Sequence, residues 1–321
     1  MGRHLIVGAG TIGAALAVRL ASGGNDVAVV SRRGTSPVHP GVRGVAADAA
    51  SSEAIARLAE GADAIYNCAN PRYDRWPRDW PPIASSLLGA AARSGAVLVT
   101  LSNLYGYGPV GHAMTETDPL AATSTKGRVR VAMWEAALRA HEAGQVRATE
   151  VRASDFFGPT VRSSGMLGER VVPHVLDHRT ISLLGDLDAP HSWTFVDDVV
   201  AALDVAASDA RAWGRAWHVP TAPPLSPREA VQALADAARL EAPHVRRLPW
   251  ALVRAAGLVS SEIGELHEIA YQFDRPFVVD SSAFTGTFAM RPTPLADSLA
   301  RTVAWWRAER GFPLPSLVAS H

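Results

Sequence analysis

The sequence predicts a doubly wound α/β fold, in which helices cover both faces of a parallel sheet, followed by a smaller and mostly helical lobe. Two observations predict it. Up to residue 152, short apolar segments alternate with amphipathic helical segments, as in a covered parallel sheet. The first apolar segment, residues 5–7, leads directly into a glycine-rich turn that opens a helix. A length of 321 residues is enough for one large α/β domain with an appended lobe.

Strands are predicted where short apolar runs lie between turn-forming or helical segments. The runs before residue 153 are residues 5–7, 27–30, 42–46, 64–67, 97–101 and 146–152. A parallel sheet needs crossover connections between its strands, and most of these intervals are long enough to hold a helix.

Helices are predicted where apolar residues recur with helical spacing. The first is stopped by Gly23-Gly24, the second has Ser51 or Ser52 as its N-cap, and the fourth ends at Gly144. The predicted helices cover residues 11–22, 51–60, 81–93, 126–143, 196–207, 227–240 and 295–308.

Composition excludes several classes of function. Lys+Arg and Asp+Glu both number 31, so a formal net charge of +0 gives no global footprint for nucleic acid or an anionic membrane. The one cysteine, Cys68, excludes an intrachain disulfide and a cysteine-based metal site, and no metal is expected. Because the sequence shows no signal peptide and no apolar run of ~20 residues, we expect a cytoplasmic protein.

The strongest local motif is Gly8-Ala9-Gly10-Thr11-Ile12-Gly13, which has the G-x-G-x-x-G spacing between a strand and a helix. Gly8 permits a tight turn, Gly10 lets the backbone approach a pyrophosphate, and Gly13 allows the helix to pack closely on the strand. The helix N-terminus adds unpaired N–H groups that suit an anion. The motif therefore predicts a Rossmann dinucleotide site that includes Thr11 and Ile12.

Domain organisation follows from where the alternating pattern ends. We expect a dinucleotide-binding Rossmann domain over residues 1–165 and a substrate-binding lobe mainly over residues 166–321. Segments near residues 190–220 are expected to return to the first domain.

The end of the second strand favours NADP(H) over NAD(H). An NAD site usually has an acidic residue there, which hydrogen-bonds the ribose hydroxyls. This chain has Ser31, Arg32 and Arg33 instead, and guanidinium groups suit a ribose phosphate. The alternative is that both arginines are solvated loop residues.

These features resemble the extended, atypical short-chain dehydrogenase/reductases, often called NAD-dependent epimerase/dehydratases. The similar segments occur in the family's order, at the glycine motif, Asp48, and residues 63–70, 101–108, 152–159 and 195–199. The resemblance implies cofactor contacts at Asp48, Cys68, Ala69 and Asn70. It also implies a homodimer, because family members often pair two long helices into a bundle; the corresponding apolar positions are Val129, Val131, Met133 and Trp134.

The family's catalytic pair is Tyr-x-x-x-Lys, and none of the five tyrosines here has a lysine four residues later. Aligning the family's Tyr-Gly segment before the long helix puts Lys126, the chain's single lysine, at the tyrosine position and Arg130 at the lysine position. Matching residues 107–108 likewise puts Asn103 at the supporting Ser/Thr position. Tyr105 then falls where some dehydratases of the family carry an acid/base residue.

Three interpretations of this replacement stay open. In the first, Lys126 exchanges the proton, because burial and the nearby Arg130 disfavour its charged form, and Asn103 binds the substrate oxygen. In the second, Tyr105 or Tyr107 donates the proton and Lys126 gives electrostatic support. In the third, the redox chemistry is lost. A further alternative is that Lys126 only binds cofactor, or solvent, at a helix start.

Residues 71–82 are predicted to form an aromatic, proline-stiffened loop beyond the fourth strand. Such a loop suits an apolar or ring-bearing substrate, with Tyr73 and Trp76 as contacts. The alternative is a surface loop whose tryptophans pack on a neighbouring helix. Other candidate substrate contacts are Asp155 and Phe156, in a segment similar to the family, and His191 and Trp193, which precede the similar segment at residues 195–199.

Three functions are consistent with the sequence. The first is an NADP(H)-dependent oxidoreductase or epimerase-like enzyme acting on a carbonyl or secondary alcohol of a small organic molecule. The second is a non-redox isomerase, cyclase or lyase on the same scaffold, and the third is a non-catalytic NADP(H)-binding sensor.

Overall fold

The computed structural model describes residues 2–163, 165–257 and 264–311. Its strands are β1 Arg3–Val7, β2 Asp26–Ser31, β3 Val42–Ala46, β4 Ala64–Asn67, β5 Val97–Ser102, β6 Arg147–Arg152, β7 Asp155–Phe157, β8 Ile181–Leu184, β9 Trp193–Phe195, β10 Ala216–His218 and β11 Val245–Leu248. A seven-stranded parallel sheet has the order β10-β6-β5-β4-β1-β2-β3. The chain winds outward from β1 in both directions, which confirms the predicted doubly wound fold.

Helices connect the strands and build the lobe. They are α1 Thr11–Ser22, α2 Ser52–Leu58, α3 Trp76–Ser94, α4 Thr125–Glu142, α5 Val172–Leu176, α6 Val196–Ser208, α7 Pro227–Ala238, α8 Trp250–Gly257, α9 Tyr271–Asp274, α10 Ser282–Phe288 and α11 Leu295–Glu309. Short 3₁₀ helices lie at Tyr73–Arg75, Tyr105–Tyr107, Ala210–Ala212 and Glu265–Ile269.

The sheet separates two apolar cores. Helices α1 and α6 pack together on one face, and α2, α3 and α4 pack on the other. Neighbouring residues of β1 belong to different cores, because successive side chains of a strand point to opposite faces of the sheet. Ile6 belongs to the core with α1, whereas Leu5 and Val7 belong to the core with α3. Burial on both faces explains the continuous apolar runs of these strands.

Helix α3 begins at Trp76, five residues before the predicted start, so the prediction of a loop up to residue 82 was wrong. Proline lacks the backbone N–H that donates a hydrogen bond in the interior of a helix. Pro77 lies in the first turn, where the N–H groups make no hydrogen bond within the helix. Pro81 and Pro82 lie further in, and each leaves one helix carbonyl without its N–H donor. Trp76 and Trp80 are buried on the same face of the helix, and their packing offsets these losses.

The lobe adds two small parallel pairs, β7 with β9 and β8 with β11. Helix α7 packs against α5 and α11. It begins with a capping box, in which Ser226 Oγ accepts from the Glu229 N–H at 3.3 Å and Glu229 Oε2 accepts from the Ser226 N–H at 2.8 Å. Of the helices described, none is long and apolar enough to cross a membrane.

A buried ion pair lies on β6. Glu150 and Arg152 are two residues apart and therefore share one face of the strand. Both side chains are less than 5% exposed, and Arg152 Nε donates to Glu150 Oε1 at 2.7 Å. Arg152 Nη1 also donates to the Tyr107 hydroxyl at 2.6 Å, and that oxygen lies 2.7 Å from His218 Nε2. The network ties β6 and β10 to the turn that follows β5.

Replacing Glu150 by Ala would leave the Arg152 guanidinium buried without its carboxylate. We expect the free energy of unfolding to fall by about 3–5 kcal/mol, which is typical of an uncompensated buried charge. The control Glu135→Ala removes an exposed i,i+4 partner of Arg139. It should change the free energy of unfolding by less than about 1 kcal/mol. Urea unfolding followed by circular dichroism measures both, and equal losses would contradict a stabilising role for the buried pair.

Candidate active site

A cavity of about 470 Å³ lies at the carboxyl ends of β1, β4, β5 and β6. In a doubly wound fold this edge of the sheet is where ligands bind. Many residues that the sequence singled out line it: Gly10, Thr11, Ile12, Cys68, Ala69, Asn70, Tyr73, Trp76, Asn103, Tyr105, Arg130, Asp155 and Phe156.

The glycine loop between β1 and α1 closes one end of the cavity. Gly8 has a φ of +113°, which L side chains rarely adopt, and a Cβ there would overlap the Cys68 carbonyl. A Cβ on Gly13 would overlap the Gly8 carbonyl oxygen. At Gly10 a Cβ would meet no atom within 4 Å, so the backbone faces open space. The loop thus offers the N-terminus of α1 to a ligand at close range.

The other predicted cofactor residues flank this loop. Arg32 and Arg33 are exposed directly after β2, and the Ser31 hydroxyl donates to the Thr35 carbonyl at 3.1 Å. Asp48 is exposed after β3 and accepts from the Ala50 N–H at 2.9 Å. Since β2 and β3 follow β1 in the sheet, these groups lie at the same edge as the glycine loop.

Several buried polar atoms at the cavity have no hydrogen-bond partner among the described residues. They are Ser102 Oγ, Ser154 Oγ, and Nε and Nη1 of Arg130. Buried polar groups without a partner are costly, and a bound polar ligand would satisfy them. Together with the open space at Gly10, they show that the residues present fit a dinucleotide.

Cys68 lines the same cavity, and burial raises the pKa of its thiol to about 12. It is therefore a neutral thiol at neutral pH and a poor nucleophile.

Tyr105 receives two hydrogen bonds at the cavity. The Tyr73 hydroxyl donates to the Tyr105 oxygen at 2.6 Å, and Gln272 also bonds to it. Both bonds lower the pKa of Tyr105, as expected when an oxygen accepts, whereas burial and the Asp155 charge raise it to about 12. Tyr105 is thus a phenol at neutral pH, and with its oxygen accepting, its own proton is free for another acceptor.

Arg130 lies between two tryptophans. Its Cζ is 4.6 Å from the centre of the Trp76 ring and 4.5 Å from that of Trp80. Burial lowers the pKa of the guanidinium to about 10, with Glu150 opposing that effect, so the group is charged at neutral pH. We call this arrangement of Arg130, Trp76 and Trp80 the tryptophan clamp.

Lys126 takes part in an ion-pair cluster and is not among the groups that line the cavity. Its side chain is 1% exposed, and Nζ donates to Glu268 Oε2 at 2.9 Å and to Glu265. Glu268 Oε1 also accepts from the N–H groups of Thr125 and Lys126, so it caps α4. Nζ lies 4.6 Å from the centre of the Tyr73 ring. The lysine therefore joins α4 to the lobe.

Asn103 and Tyr107 differ in their relation to the cavity. Asn103 lines it, and its side-chain oxygen accepts from the Tyr105 N–H at 3.2 Å, which holds the 3₁₀ turn. The Tyr107 hydroxyl is bound by Arg152 and His218 in the buried network, away from the cavity. Burial raises the pKa of Tyr107 to about 12.

Asp155 and His191 meet because β7 pairs with β9. His191 Nε2 lies 2.8 Å from Asp155 Oδ2. The Asp155 carboxylate reaches the cavity, whereas His191 is buried with its ring 4.3 Å from that of Trp193 and 5.4 Å from that of Phe277. Trp193 lies behind His191, and its indole N–H donates to a backbone carbonyl. The structure therefore puts Asp155 in the cavity and the other two predicted contacts behind it.

A sequence model of the NAD dependent epimerase/dehydratase family matches residues 4–219 of the 321. This range includes the glycine loop, most of the cavity and β10. The chain belongs to this family. The membership confirms the predicted resemblance and supports an enzyme of the epimerase/dehydratase type.

A dTDP-6-deoxy-L-talose 4-dehydrogenase (NAD(P)(+)) from Kitasatospora kifunensis is 30% identical over 173 residues, which are 50% of this chain and 54% of that protein. The chain thus matches about half the length of this curated relative.

Solved structures with under 25% sequence identity share the fold. A dTDP-glucose 4,6-dehydratase double mutant from Streptomyces venezuelae with NAD bound has a TM-score of 0.77 at 23% identity, over 96% of this chain and 98% of that one. The Bacillus anthracis dTDP-glucose 4,6-dehydratase in complex with NAD has a TM-score of 0.79 at 17% identity, over 97% and 98%. A Bacillus cereus UDP-glucuronic acid 4-epimerase has a TM-score of 0.77 at 15% identity, over 96% and 99%.

Some cavity residues were not predicted from the sequence: Ser102, Leu104, Ser154, Thr160, Arg162, Ser163, Gln272 and Phe277. Ser102 is the last residue of β5 and Ser154 follows the end of β6, and this position at the carboxyl end of a strand is a signal that could have identified them. Gln272 lies in a part of the lobe whose sequence contains no recognisable motif. It contacts Tyr105 only because the fold brings these two distant parts of the chain together.

Replacing Lys126 by Met would leave Glu265 and Glu268 close together without their cation. We expect the free energy of unfolding to fall by about 1–3 kcal/mol, the usual worth of hydrogen bonds to charged groups. Lys126→Arg keeps the charge, so its free energy of unfolding should fall less than that of Lys126→Met. Thermal unfolding of the two variants and of the native protein measures these losses.

The opposite pattern would contradict a structural role for Lys126. If Lys126→Met unfolds like the native protein but loses turnover by about 10²-fold or more, the lysine acts at the reacting atoms.

Proposed function

We propose that this protein transfers a hydride between NADP(H) and a carbonyl or secondary alcohol of a small organic molecule, with Tyr105 as the proton donor in the direction of reduction. The observation that carries the proposal is the hydrogen bonding of Tyr105. Its oxygen accepts from Tyr73 and Gln272, so its proton is free, in a cavity that begins at a dinucleotide-type glycine loop.

Proton transfer to a carbonyl oxygen needs an acid that is protonated at working pH. Tyr105 fulfils this condition, because burial and Asp155 keep its pKa at about 12. When Tyr105 gives up its proton, the hydrogen bonds from Tyr73 and Gln272 stabilise the phenolate that forms. Burial raises the pKa of Tyr73 further than that of Tyr105, so Tyr73 keeps its proton and continues to donate along the 2.6 Å contact, and Tyr105 regains a proton from water after the product leaves. Lys126 supports this pair by fixing the lobe that carries Gln272 against α4.

The cofactor, when bound, supplies or accepts the hydride. We infer that the glycine loop and the N-terminus of α1 hold its pyrophosphate, because Gly10 faces open space there. The resemblance predicts that Arg130 takes the position of the family's lysine, and its unpartnered Nε and Nη1 suit ribose hydroxyl oxygens. The tryptophan clamp keeps that guanidinium in place.

Preference for NADP(H) is supported by the end of β2. Arg32 and Arg33 are exposed there, and no acidic side chain takes the place of a ribose-binding carboxylate at residues 31–34. Two guanidinium groups at this edge can bind a ribose phosphate by charge-assisted hydrogen bonds.

We also propose a homodimer formed through α3 and α4. An apolar groove of about 510 Å³ lies between these helices, and its lining includes Leu88, Val129 and Met133. Covering such a groove with the same face of a second copy would bury apolar area from both chains. Of the other two predicted interface positions, Trp134 is buried and Val131 packs towards Gly106.

Tyr105→Phe removes the proton donor and keeps the ring. We expect kcat to fall about 10²–10⁴-fold, the usual contribution of a general acid, with NADPH affinity unchanged. The matched control Tyr66→Phe changes a buried tyrosine of β4 outside the cavity and should leave kcat unchanged. A broad panel of aldehydes and ketones first identifies a carbonyl compound that the native protein reduces. NADPH oxidation at 340 nm is then measured with that compound for the native protein and both variants.

Three outcomes would contradict the proposal. Full activity of Tyr105→Phe would exclude Tyr105 as the donor. Turnover without any change in nicotinamide absorbance would point to the non-redox alternative, and tight NADPH binding without any turnover would point to a sensor.

Replacing both Arg32 and Arg33 by Ala should weaken NADPH binding about 10–100-fold, because hydrogen bonds between charged groups contribute about 1.5–3 kcal/mol. NADH affinity should stay constant, since NADH lacks the phosphate. Arg57→Ala, an exposed arginine of α2 paired with Glu53, is the control. Fluorescence titration with both nucleotides tests this, and an equal loss for NADH and NADPH would exclude phosphate recognition at this loop.

A further inference from the structure

One loop of the lobe borders the cavity beside the glycine loop. We call it the Thr160 loop and define it as residues 158–163, which follow β7. Thr160 and Arg162 line the cavity together with Gly10 and Thr11. The Thr11 hydroxyl donates to the Thr160 carbonyl at 3.3 Å, so the loop contacts the first residue of α1. The Thr160 loop therefore lies beside the helix N-terminus that suits a pyrophosphate.

The backbone of this loop is strained at one residue and held at the next. Thr160 has a φ of +66°, in the left-handed region that β-branched residues rarely adopt. Such conformations persist only where the surrounding structure fixes them, and they cluster at ligand sites. The Glu169 N–H donates to the Arg162 carbonyl at 3.3 Å. The Arg162 backbone is thus held in place, whereas its side chain is 50% exposed.

The two cations of the cavity lie at different ends of it. Among the described residues that line the cavity, the cationic side chains are Arg130 and Arg162. Arg130 belongs to the tryptophan clamp, and the Trp76 ring of that clamp stacks on Tyr105 with centroids 6.1 Å apart. Arg162 belongs to the loop that contacts Thr11. It is therefore the cation of the glycine-loop end, where guanidinium groups can bind phosphates by paired, charge-assisted hydrogen bonds.

A polar ligand fits this cavity. The buried Ser154 hydroxyl and Nε of Arg130 line it and have no hydrogen-bond partner among the described residues. Buried polar groups of this kind are usually satisfied, so a bound ligand accounts for them.

The present partner of Arg162 is easily exchanged. Arg162 pairs with Glu309, the last residue of α11, and its Cζ lies 5.3 Å from the centre of the Trp305 ring. The two paired side chains are 50% and 42% exposed. Exposed ion pairs contribute little to stability, because water screens the charges. Arg162 can therefore leave Glu309 for a more strongly charged anion at small cost.

We propose that Arg162 binds the pyrophosphate of the cofactor, and that it exchanges Glu309 for this group when the dinucleotide binds. The inference rests on the proposed function, because it requires a dinucleotide at the glycine loop. A diphosphate of the substrate has the same chemistry, but the contact between the Thr160 loop and Thr11 favours the cofactor. The exchange makes the contact between this loop and α11 depend on the cofactor.

Arg162→Ala removes the cation from the full chain. We expect the affinities for NADPH and NADH to fall equally, by about tenfold, because both nucleotides contain the pyrophosphate. Binding of adenosine 2′-monophosphate, which has no pyrophosphate, should stay constant. The matched control is Arg301→Ala: Arg301 is 51% exposed, pairs with Asp197 and lies 5.0 Å from the Phe195 ring, but it does not line the cavity. Fluorescence titration measures the nucleotides, and competition with NADPH measures the monophosphate.

Glu309→Gln gives the opposite result if the two anions compete for Arg162. We expect the affinities for NADPH and NADH to rise about two- to fivefold, the worth of an exposed ion pair. The gain should disappear in the double variant with Arg162→Ala, and the control Asp197→Asn should have no effect. A pair that only holds the loop on α11 would weaken binding in both single variants. Because Glu309 is a half-exposed residue, this test remains even if Arg162→Ala fails to fold.

UDP-glucose, titrated into protein saturated with NADP, tests the other source of a diphosphate. We expect no loss of its binding in Arg162→Ala. A loss for UDP-glucose with unchanged NADPH affinity would overturn the assignment to the cofactor.

The inference would also be overturned by an equal effect of Arg162→Ala and Arg301→Ala, by an equal loss for adenosine 2′-monophosphate, or by weaker NADPH binding in Glu309→Gln. These outcomes are distinct from failure of the proposed function. Loss of affinity in Arg162→Ala, in a protein that oxidises NADPH with no carbonyl, would support the inference and contradict hydride transfer. Native NADPH affinity of both variants, in a protein that reduces a carbonyl, would do the reverse.

Discussion

Arg130 stays charged in a buried position, and the groups that stabilise its charge determine the geometry of the cavity around Tyr105. Burial lowers the pKa of the guanidinium only to about 10, with a nearby carboxylate opposing that effect. The faces of Trp76 and Trp80 replace the water that the cation has lost. Both indoles belong to the first turns of α3, so the clamp requires this helix to begin at Trp76. The 3₁₀ turn before it then brings Tyr73 against Tyr105.

Lys126 links the lobe to helix α4. The resemblance predicted that it takes the place of the family's proton-exchanging tyrosine, but two carboxylates of the lobe bind its ammonium group. Its charge is used to hold the lobe on α4, and the lobe supplies Gln272, which bonds to Tyr105. The resemblance predicted that the lysine faces the active site, whereas Nζ contacts Glu265 and Glu268 and the side chain is not among those that line the cavity.

Sequence patterns predicted the features that depend on near neighbours. Helix Thr11–Ser22 was predicted to the residue, because glycines bound it on both sides and its apolar spacing is regular. The start of α3 was missed because the cost of its prolines is local, while the compensation comes from Arg130 on another helix. Glu265 and Glu268 had no signal for the same reason, since they contact Lys126 across 139 and 142 residues. The glycine motif located the cavity, but the lobe side of the site depends on such long-range contacts.

The two tyrosines of one 3₁₀ turn illustrate how surroundings decide chemical role. Burial raises the pKa of both Tyr105 and Tyr107 to about 12, so acidity does not distinguish them. The Tyr107 oxygen accepts from the buried Arg152 and bonds to His218, in a network that holds two strands together. A proton leaving Tyr107 would have to pass to another buried group of that network. Tyr105, by contrast, lines the cavity, where an external acceptor could take its proton. Access to the cavity, rather than pKa, therefore favours Tyr105 as the acid.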